Sequence, residues 1–326
     1  MASNLFKFHM QTFSTKNLST TSLQHRTLFP SLPFPKIRYQ SRVPSLSIIN
    51  SSLSSSTPPS SKEEAILQAK TCLSTTLEKP LNNPKLAGKL KKLKQPRFQV
   101  EIPIIDDSPA SLSQLAFDLF KEPPFKRKGS KVKIVILWPN QTLKESAIDI
   151  FHSHSSNNVE HVDIPSVVNS NDRSVFGSVE VAVFLAPESS QLASIRTIAD
   201  SLYPKPVVIL NPKWGFQEEN DFGALNGFIG SFEVIYSFLG LEVQGILSKR
   251  KGVVFKCVKD GVVSGEKWMV LVEEGGGELK VVSRFKTRPS IGEVETVLYN
   301  LMAINSPITK SAKFLKDLVS NVTGKE

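Results

Sequence analysis

Two groups of side chains have the types and spacing to bind a ligand or a partner, and the first group lies where hydrophobic runs end. The run VKIVILW ends in WPN at 138–140, and the run VVIL is followed by NPKW at 211–214. Amide groups can hydrogen-bond a small ligand, and an aromatic ring beside a cation is a typical anchor of a protein interface. We therefore predict one contact surface, called the crest, which comprises Trp138, Asn140, Asn211, Lys213, Trp214, Glu233 and Tyr236.

Glu233 and Tyr236 could add acid–base chemistry to the crest. A buried carboxyl group can have a pKa near neutral, which general acid–base catalysis requires. The alternative for Glu233 is a structural carboxylate that pairs with a basic residue such as Arg284. With catalysis, the crest would belong to an uncharacterised enzyme or to a small-ligand binding protein, for which a nucleotide or a phosphate is the candidate ligand.

The second group is a set of cations near the carboxyl end of the chain. Arg284, Lys286 and Arg288 are spaced at i, i+2 and i+4 in a predicted strand, so they would share one face of it. This face could hold a phosphate or an acidic partner. The same spacing is also found on the plain solvent face of an antiparallel strand.

The metal-capable residues have no regular spacing. His152, His154 and His161 lie near Glu160 and Asp163 in the polar tract HSHSSNNVEHVD, which we interpret as a solvated loop. No metal and no other cofactor is expected.

Three common catalytic motifs are missing from the sequence. It has no G-x-x-x-x-G-K-[ST] phosphate loop, no H-E-x-x-H zinc motif and no G-x-S-x-G nucleophile elbow. This excludes the classical nucleotide-binding, zinc-protease and α/β-hydrolase interpretations, and it favours a protein that is not an enzyme.

The elements that must position these residues indicate an α/β fold. The runs VKIVILW, VEVAVFLA and VVIL are too apolar to have one wet face, and helix-length segments separate them. They therefore predict a mostly parallel, Rossmann-like sheet with helices on both faces. Strands joined by Gly-rich turns after residue 242 extend it as an antiparallel C-terminal meander. A proline follows each of the three apolar runs, and the carboxyl edge of such a sheet is where ligands usually bind.

The first 61 residues differ in composition from the rest. They contain no Asp or Glu, they are rich in Ser and Thr, and they hold six of the 40 basic residues of a chain whose net charge is +10. This composition is typical of a chloroplast transit peptide. We predict four parts: residues 1–61, a disordered transit peptide; 62–97, N-terminal helices; 98–305, the mixed α/β domain; and 306–326, a C-terminal helix and tail.

Two further segments bear on membranes and partners. The apolar stretch ALNGFIGSFEVIYSFLGLEV carries Glu233 and several glycines, so we expect a buried helical turn and strand, not a transmembrane span. The helix NPKLAGKLKKLK could contact a thylakoid surface through Lys85, Lys89 and Lys92, or dock on the core with a wet lysine face. It lacks the interleaved aromatic residues that nucleic-acid binding would favour, so we expect no nucleic-acid partner.

Cys72 and Cys257 are the only cysteines. Their number excludes a disulfide framework, and Cys257 alternates with Val253 and Phe255, as a small buried residue of a strand does. Redox regulation is compatible with a plastid, but no spacing in the sequence requires it.

Four segments resemble a known family: VKIVILWPN, ILNPKW, FIGSFEVIYSF, and the late W-x-V strand followed by TRPS and a helix. Residues 98–305 resemble a plastid and cyanobacterial domain-of-unknown-function family. That family includes the Low Photosystem II Accumulation type of assembly proteins and the domain appended to a chloroplast adenylate kinase. The resemblance implies a chloroplast location and implies no catalytic residues, and the kinase portion has no counterpart in this chain.

The favoured function is therefore a non-catalytic chloroplast protein, stromal or peripheral to the thylakoid, that binds a protein partner. Assembly or maintenance of photosystem II is the expected process. Uncharacterised catalysis or small-ligand binding at the crest is the alternative.

Overall fold

A computed structural model describes residues 57–82, 94–104, 106–152, 158–170, 176–215, 219–244, 249–274 and 278–305, together with the backbone of 11–14. Most of the predicted transit peptide, the lysine-rich helix with Lys85, Lys89 and Lys92, His154, and the tail from residue 306 lie outside these ranges.

The strands form one large sheet and one small hairpin. Strands β3 Lys126–Arg127 and β4 Ser130–Lys131 form the hairpin. The other ten described strands are β1 Gln11–Ser14, β2 Arg97–Glu101, β5 Ile134–Trp138, β6 Val159–Asp163, β7 Val181–Leu185, β8 Val207–Leu210, β9 Glu233–Gln244, β10 Lys249–Cys257, β11 Trp268–Glu273 and β12 Leu279–Phe285.

Seven α-helices complete the described chain. They are α1 Lys62–Asn82, α2 Pro109–Phe120, α3 Gln141–His152, α4 Ile164–Ser170, α5 Leu192–Ser201, the short α6 Asn226–Ile229 and α7 Ile291–Asn305. The sequence predicts two of the helix starts from capping boxes. The Glu64 amide donates to Ser61 Oγ at 3.1 Å, and the Ser290 amide donates to the Glu293 carboxylate at 2.8 Å.

The large sheet has ten strands in the order β12-β11-β10-β9-β2-β8-β7-β5-β6, with β1 alongside β9. The pairings from β9 through β2, β8, β7 and β5 to β6 are parallel. The pairings of β9 with β10, of β10 with β11 and of β11 with β12 are antiparallel. The predicted fold class is therefore confirmed: a largely parallel sheet extended by an antiparallel meander.

Helices cover both faces of the parallel strands. Ile134, Ile136 and Trp138 of β5 face a core layer that includes residues of α1, α2 and α3, whereas Val135 and Leu137 face a layer built with α5. Every residue of β5, β7 and β8 is buried, which explains why these runs carry no polar side chain. A third layer lies between α7 and the meander.

The polar tract at 152–163 differs from its prediction. Val159–Asp163 forms strand β6, where a solvated loop was expected, and α4 follows directly at Ile164–Ser170. Strand β6 lies at the edge of the sheet, so only part of it is buried and its sequence lacks the apolar run of a central strand. The apolar stretch at 224–243 forms α6 and most of β9, and none of the described helices is both long and apolar enough to span a bilayer.

Strand β9 extends past the parallel part of the sheet. Its first residues pair with β2, from Glu233 opposite Phe98 to Ser237 opposite Glu101, where β2 ends. The strand then continues to Gln244 while β10 follows it to Lys249. The meander therefore stands above the carboxyl edge of the parallel strands, and the edge of β9 that faces away from β10 projects there.

Candidate functional site at the carboxyl edge of the sheet

The strand exits lie at one edge of the sheet, as the parallel arrangement predicts. The Ala186 amide, after β7, donates to Leu210 O at 2.7 Å, and the Asn211 amide, after β8, donates to Val100 O at 2.9 Å. Ala186 and Asn211 have φ values of 47° and 49°, a left-handed conformation in which asparagine is well tolerated. The chain turns sharply at both exits.

The two asparagines of the crest make structural hydrogen bonds. Asn211 Oδ1 accepts from the Ile102 amide at 2.7 Å, and Asn211 Nδ2 donates to Ile102 O at 2.8 Å. This pair of bonds joins the exit of β8 to the exit of β2. Asn140 is exposed, and its Oδ1 accepts from the Leu143 amide at 3.0 Å, so it caps α3.

Trp138 and Trp214 are buried, and they lie in core layers on opposite faces of the sheet. The predicted contact surface requires an exposed Trp214, and this is wrong: the residue is only 5% exposed, and its ring centre lies 6.2 Å from that of Phe222. Lys213 is the exposed member of that exit, 3.6 Å from the Glu188 carboxylate. The two tryptophans share an edge of the sheet but do not form one aromatic surface.

Glu233 and Tyr236 do not form an acid–base pair with the asparagines. Glu233 is exposed, and its place opposite Phe98 puts it near the amino end of β2, away from the edge that holds Asn211. Tyr236 is fully buried in the layer beneath α1, 3.5 Å from Gln68 Oε1, and burial raises its pKa. The prediction of a buried carboxyl at Glu233 is therefore wrong. The alternative pairing with Arg284 is wrong too, because Arg284 lies on β12, three strands away from β9 and level with Phe238.

The three C-terminal cations do not share a strand face. Strand β12 ends at Phe285, so only Arg284 belongs to it, and Arg284 and Lys286 are exposed. Arg288 turns inward instead. Its Nη2 donates to Glu101 Oε1 at 3.0 Å.

Arg288 completes a buried polar cluster at the end of β2, which we call the Glu101 cluster. Glu101 Oε1 also accepts from Gln99 Nε2 at 2.8 Å, and Glu101 Oε2 accepts from Ser237 Oγ at 2.6 Å. The Glu101 and Arg288 side chains are 3% and 26% exposed. A carboxylate this buried requires a close cation and hydrogen bonds, and the cluster supplies both.

Trp268 joins the Glu101 cluster to the meander. Arg288 Cζ and Lys256 Nζ each lie 5.4 Å from the centre of the Trp268 ring, within the range of cation–π attraction. Lys256 is opposite Ser237 in the sheet, and burial lowers its pKa. The cluster thus concentrates charge and an aromatic ring at the point where the parallel strands meet the meander.

The segments that carry the family resemblance contain three residues of this region, although the spacing of the residues does not indicate a cluster. Ser237 lies in FIGSFEVIYSF, Trp268 opens the W-x-V strand, and Arg288 belongs to TRPS, all of which carry the family resemblance. The structure brings these three segments together around Glu101, which no motif marked.

Histidine 161 makes the edge strand β6 sensitive to pH. Trp138 Nε1 donates to His161 Nδ1 at 3.1 Å, and burial, with help from His152, lowers the pKa of His161 to about 4. The unfolded chain, with a histidine pKa of 6.5, therefore binds more protons than the folded chain between pH 6.5 and 4. Among the described residues, no group of three or more His, Cys, Asp or Glu is placed to hold a metal ion, and His161 acts here as a hydrogen-bond acceptor.

We predict that this histidine makes the protein less stable as the pH falls from 6.5 towards 4. At pH 5 its contribution is a loss of about 2 kcal/mol of unfolding free energy relative to pH 7. Urea unfolding at both pH values measures the loss, and His161→Gln, which keeps an acceptor for Trp138, corrects for the other titrating groups. Equal losses in the wild type and in this variant would contradict the prediction.

The projecting edge of β9 is the other notable feature of this region. In the described part of the chain, the strand that pairs with it is β1, which runs parallel to Leu241–Gln244 with Gln11 opposite Leu241. The side chains of Leu241 and Val243 are buried in the layer beneath α7, which anchors this part of β9. The backbone edge of the strand lies outside that layer, so an extended segment such as β1 can pair with it.

Comparisons with known proteins identify a family for this chain and give no activity. A family model described as "Domain of unknown function (DUF1995)" matches residues 59–296. No curated protein is significantly similar in sequence. Among solved structures, the flagellar accessory protein FlaH from Methanocaldococcus jannaschii is 10% identical; the match covers 57% of this chain and 88% of that chain with a TM-score of 0.27, too low to support any argument.

Proposed function

We propose, from the premise that this chain belongs to the family of the domain of unknown function DUF1995, that it is a non-catalytic chloroplast protein that binds a protein partner. It would be stromal or peripheral to the thylakoid. The process in which it acts would be the assembly or maintenance of photosystem II.

The projecting edge of β9 is the observation that carries this proposal. A strand edge offers a row of backbone N–H and C=O groups that an extended segment of another chain can pair with, a recognition mode called strand addition. Between Leu241 and Gln244 this edge already pairs with one extended segment, β1. The partner we infer is therefore a protein that presents an extended segment, bound mainly by its main chain.

The position of β1 links partner binding to targeting. Strand β1 lies within the acid-free first 61 residues that we interpret as a transit peptide. Removal of that segment would take β1 away and free the edge in the mature protein. The precursor would then be blocked, and the chloroplast form would be ready to bind.

The composition of the leader and the family resemblance support the location and the process. A segment rich in Ser and Thr without acidic residues supports import into plastids. The resemblance to the Low Photosystem II Accumulation type of assembly proteins supports a role at photosystem II.

We predict that Phe13→Pro in the full chain opens the edge of β9. Proline lacks the N–H that a strand ladder needs, so β1 should detach. Because alternate amides of a strand point to opposite sides, those of Leu241–Gln244 that face β1 should exchange with solvent roughly tenfold faster or more, while those that face β10 stay protected. Hydrogen exchange read by mass spectrometry measures this, and Phe8→Pro, the same substitution at a position that precedes Gln11–Ser14 in the sequence, is the matched control.

A peptide added in trans tests whether the opened edge accepts a strand. The peptide LFKFHMQTFSTKNLST, residues 5–20, should restore the protection that Phe13→Pro removes. Affinity isolation from chloroplasts with the Phe13→Pro chain should recover a protein of photosystem II or of its assembly, and the peptide should displace it. Unchanged exchange in Phe13→Pro, or recovered proteins that the peptide does not displace, would contradict the proposal.

A further inference from the structure

The fold brings together the two cysteines of the chain, although 185 positions separate them. Cys72 lies on α1 and Cys257 is the last residue of β10, and their Sγ atoms are 3.6 Å apart. The sequence contains no other cysteine, so each thiol has one intramolecular thiol that it can meet.

The two thiols lie in a closed apolar layer. Cys72 is 0% exposed and Cys257 is 1% exposed, and Leu73 and Leu77 of α1 are buried in the same layer. Cys257 lies opposite Tyr236 of β9 in the sheet. This contact is therefore one of the places where α1 packs against the meander.

We propose that Cys72 and Cys257 form an intramolecular disulfide that fastens α1 to the meander when the protein is exposed to a disulfide oxidant. The two thiols lose two protons and two electrons, and a sulfur–sulfur bond forms between them. The oxidant is a small or protein disulfide that takes up these electrons and protons and becomes two thiols. A dithiol reductant reverses the step.

The geometry requires a short movement. A disulfide bond is about 2.05 Å long, so the sulfur atoms must approach by roughly 1.5 Å from their present separation. Both cysteines are unbranched beyond Cβ, so rotation about the Cα–Cβ bonds with a small shift of α1 brings the atoms to bonding distance.

Burial sets the rate of the step. The hydrogen bond with Cys257 and burial both raise the pKa of the Cys72 thiol, so little of the reactive thiolate exists while α1 is docked. Reaction with a bulky disulfide therefore requires α1 to lift from the sheet. Oxidation is expected to be slow in the native protein, and faster at higher pH and in mild denaturant.

The bond would stabilise the fold by constraining the unfolded chain. It would close a loop that spans most of the domain, and long closed loops lose the most conformational entropy on cross-linking. Typical disulfides of this kind raise the melting temperature of a domain of this size by roughly 5–15 °C.

The test is oxidation of the full chain with oxidised glutathione, followed by quenching, unfolding and alkylation. The native protein should lose two hydrogen atoms in mass, yield a peptide that links Cys72 to Cys257, and melt roughly 5–15 °C higher, with dithiothreitol reversing all three. Cys72→Ala and Cys257→Ala, each compared with and without oxidant, should show no such rise. Using each variant as its own reference separates the response to oxidant from any cost of the substitution.

Three results would overturn the inference. In the first, both thiols still react with the alkylating reagent after prolonged oxidation. In the second, the product is only a mixed disulfide with glutathione, and in the third, the disulfide joins two chains. A Cys72–Cys257 bond that leaves the melting temperature unchanged would overturn the fastening role.

Discussion

Replacing Arg288 with methionine should lower the free energy of unfolding by about 3 kcal/mol, because it removes the cation from a buried ion pair. Glu101 would keep its hydrogen bonds from Ser237 and Gln99 but would lose the charge that compensates its own, with a side chain only 3% exposed. Methionine keeps much of the volume and flexibility of the arginine stem, so the loss reports on charge more than on packing. Urea unfolding at pH 7 measures it.

A second substitution should recover most of this loss. In Glu101→Gln with Arg288→Met, the buried charge is gone while the amide can still bond to Ser237, so the double variant should be more stable than Arg288→Met alone. With Glu101→Gln measured alone as well, the coupling energy of the pair is the loss in the double variant minus the sum of the losses in the two single variants. The matched control is Arg127→Met, because Arg127 is 43% exposed in its pair with Glu180 and should cost less than about 1 kcal/mol.

A loss in Arg288→Met no larger than in Arg127→Met would show that the Glu101 cluster is not the ion pair described. The consequence would extend beyond stability. The cluster joins β2 to the segment that follows β12, and β2 is the strand beside the first half of β9. A weak cluster would leave the base of the projecting edge without its anchor.

Hydrophobic patterning predicted the parallel half of the fold because its signal is local. β5, β7 and β8 are buried throughout, and each appears in the sequence as an unbroken apolar run. Strand β6 carries Glu160 and His161 and is only partly buried, so the same criterion missed it. Patterning identifies central strands and fails at the edge, where one side of the strand meets solvent.

The candidate sites depended on contacts between residues distant in sequence, and these were not predictable. Glu101 and Arg288 are 187 positions apart, and Cys72 and Cys257 are 185 apart. Asn211 was chosen for its type and position, and the structure places it at the predicted edge, where it bonds to Ile102 from another strand exit. Residue type and local spacing located the edge but could not say which polar groups would already be paired.

Trp214 shows why the exposure of a side chain to solvent is hard to infer from its neighbours in sequence. Its neighbours in sequence are Lys213 and Gly215, which suggest a loop in water. Its neighbours in space include Phe222 at 6.2 Å, and the same core layer contains Phe228 and Phe232. A distant chain segment that folds back over a loop can bury it, and the sequence of the loop itself does not show this.

Trp214→Ala should therefore cost about 3–5 kcal/mol of unfolding free energy, the range for truncating a large buried aromatic side chain. The loss combines the transfer of the indole out of water with the cavity that the alanine leaves beside Phe222. Trp214→Phe should cost clearly less, because most of that space stays filled. Leu67→Ala is the matched control: Leu67 is 64% exposed on α1, and alanine favours a helix, so this change should stay within about 0.5 kcal/mol.

The same variant separates the two views of this loop. If Trp214 is an exposed anchor for a partner, Trp214→Ala should unfold like the wild type and lose the partner. If it is a core residue, the variant should be destabilised as above. Combined with Phe13→Pro, and under conditions where the chain remains folded, it should still accept residues 5–20 at the edge of β9, because that edge does not include Trp214. If Trp214→Ala instead lowers the free energy of unfolding by less than about 1 kcal/mol and also loses the partner, the crest would be the contact surface after all.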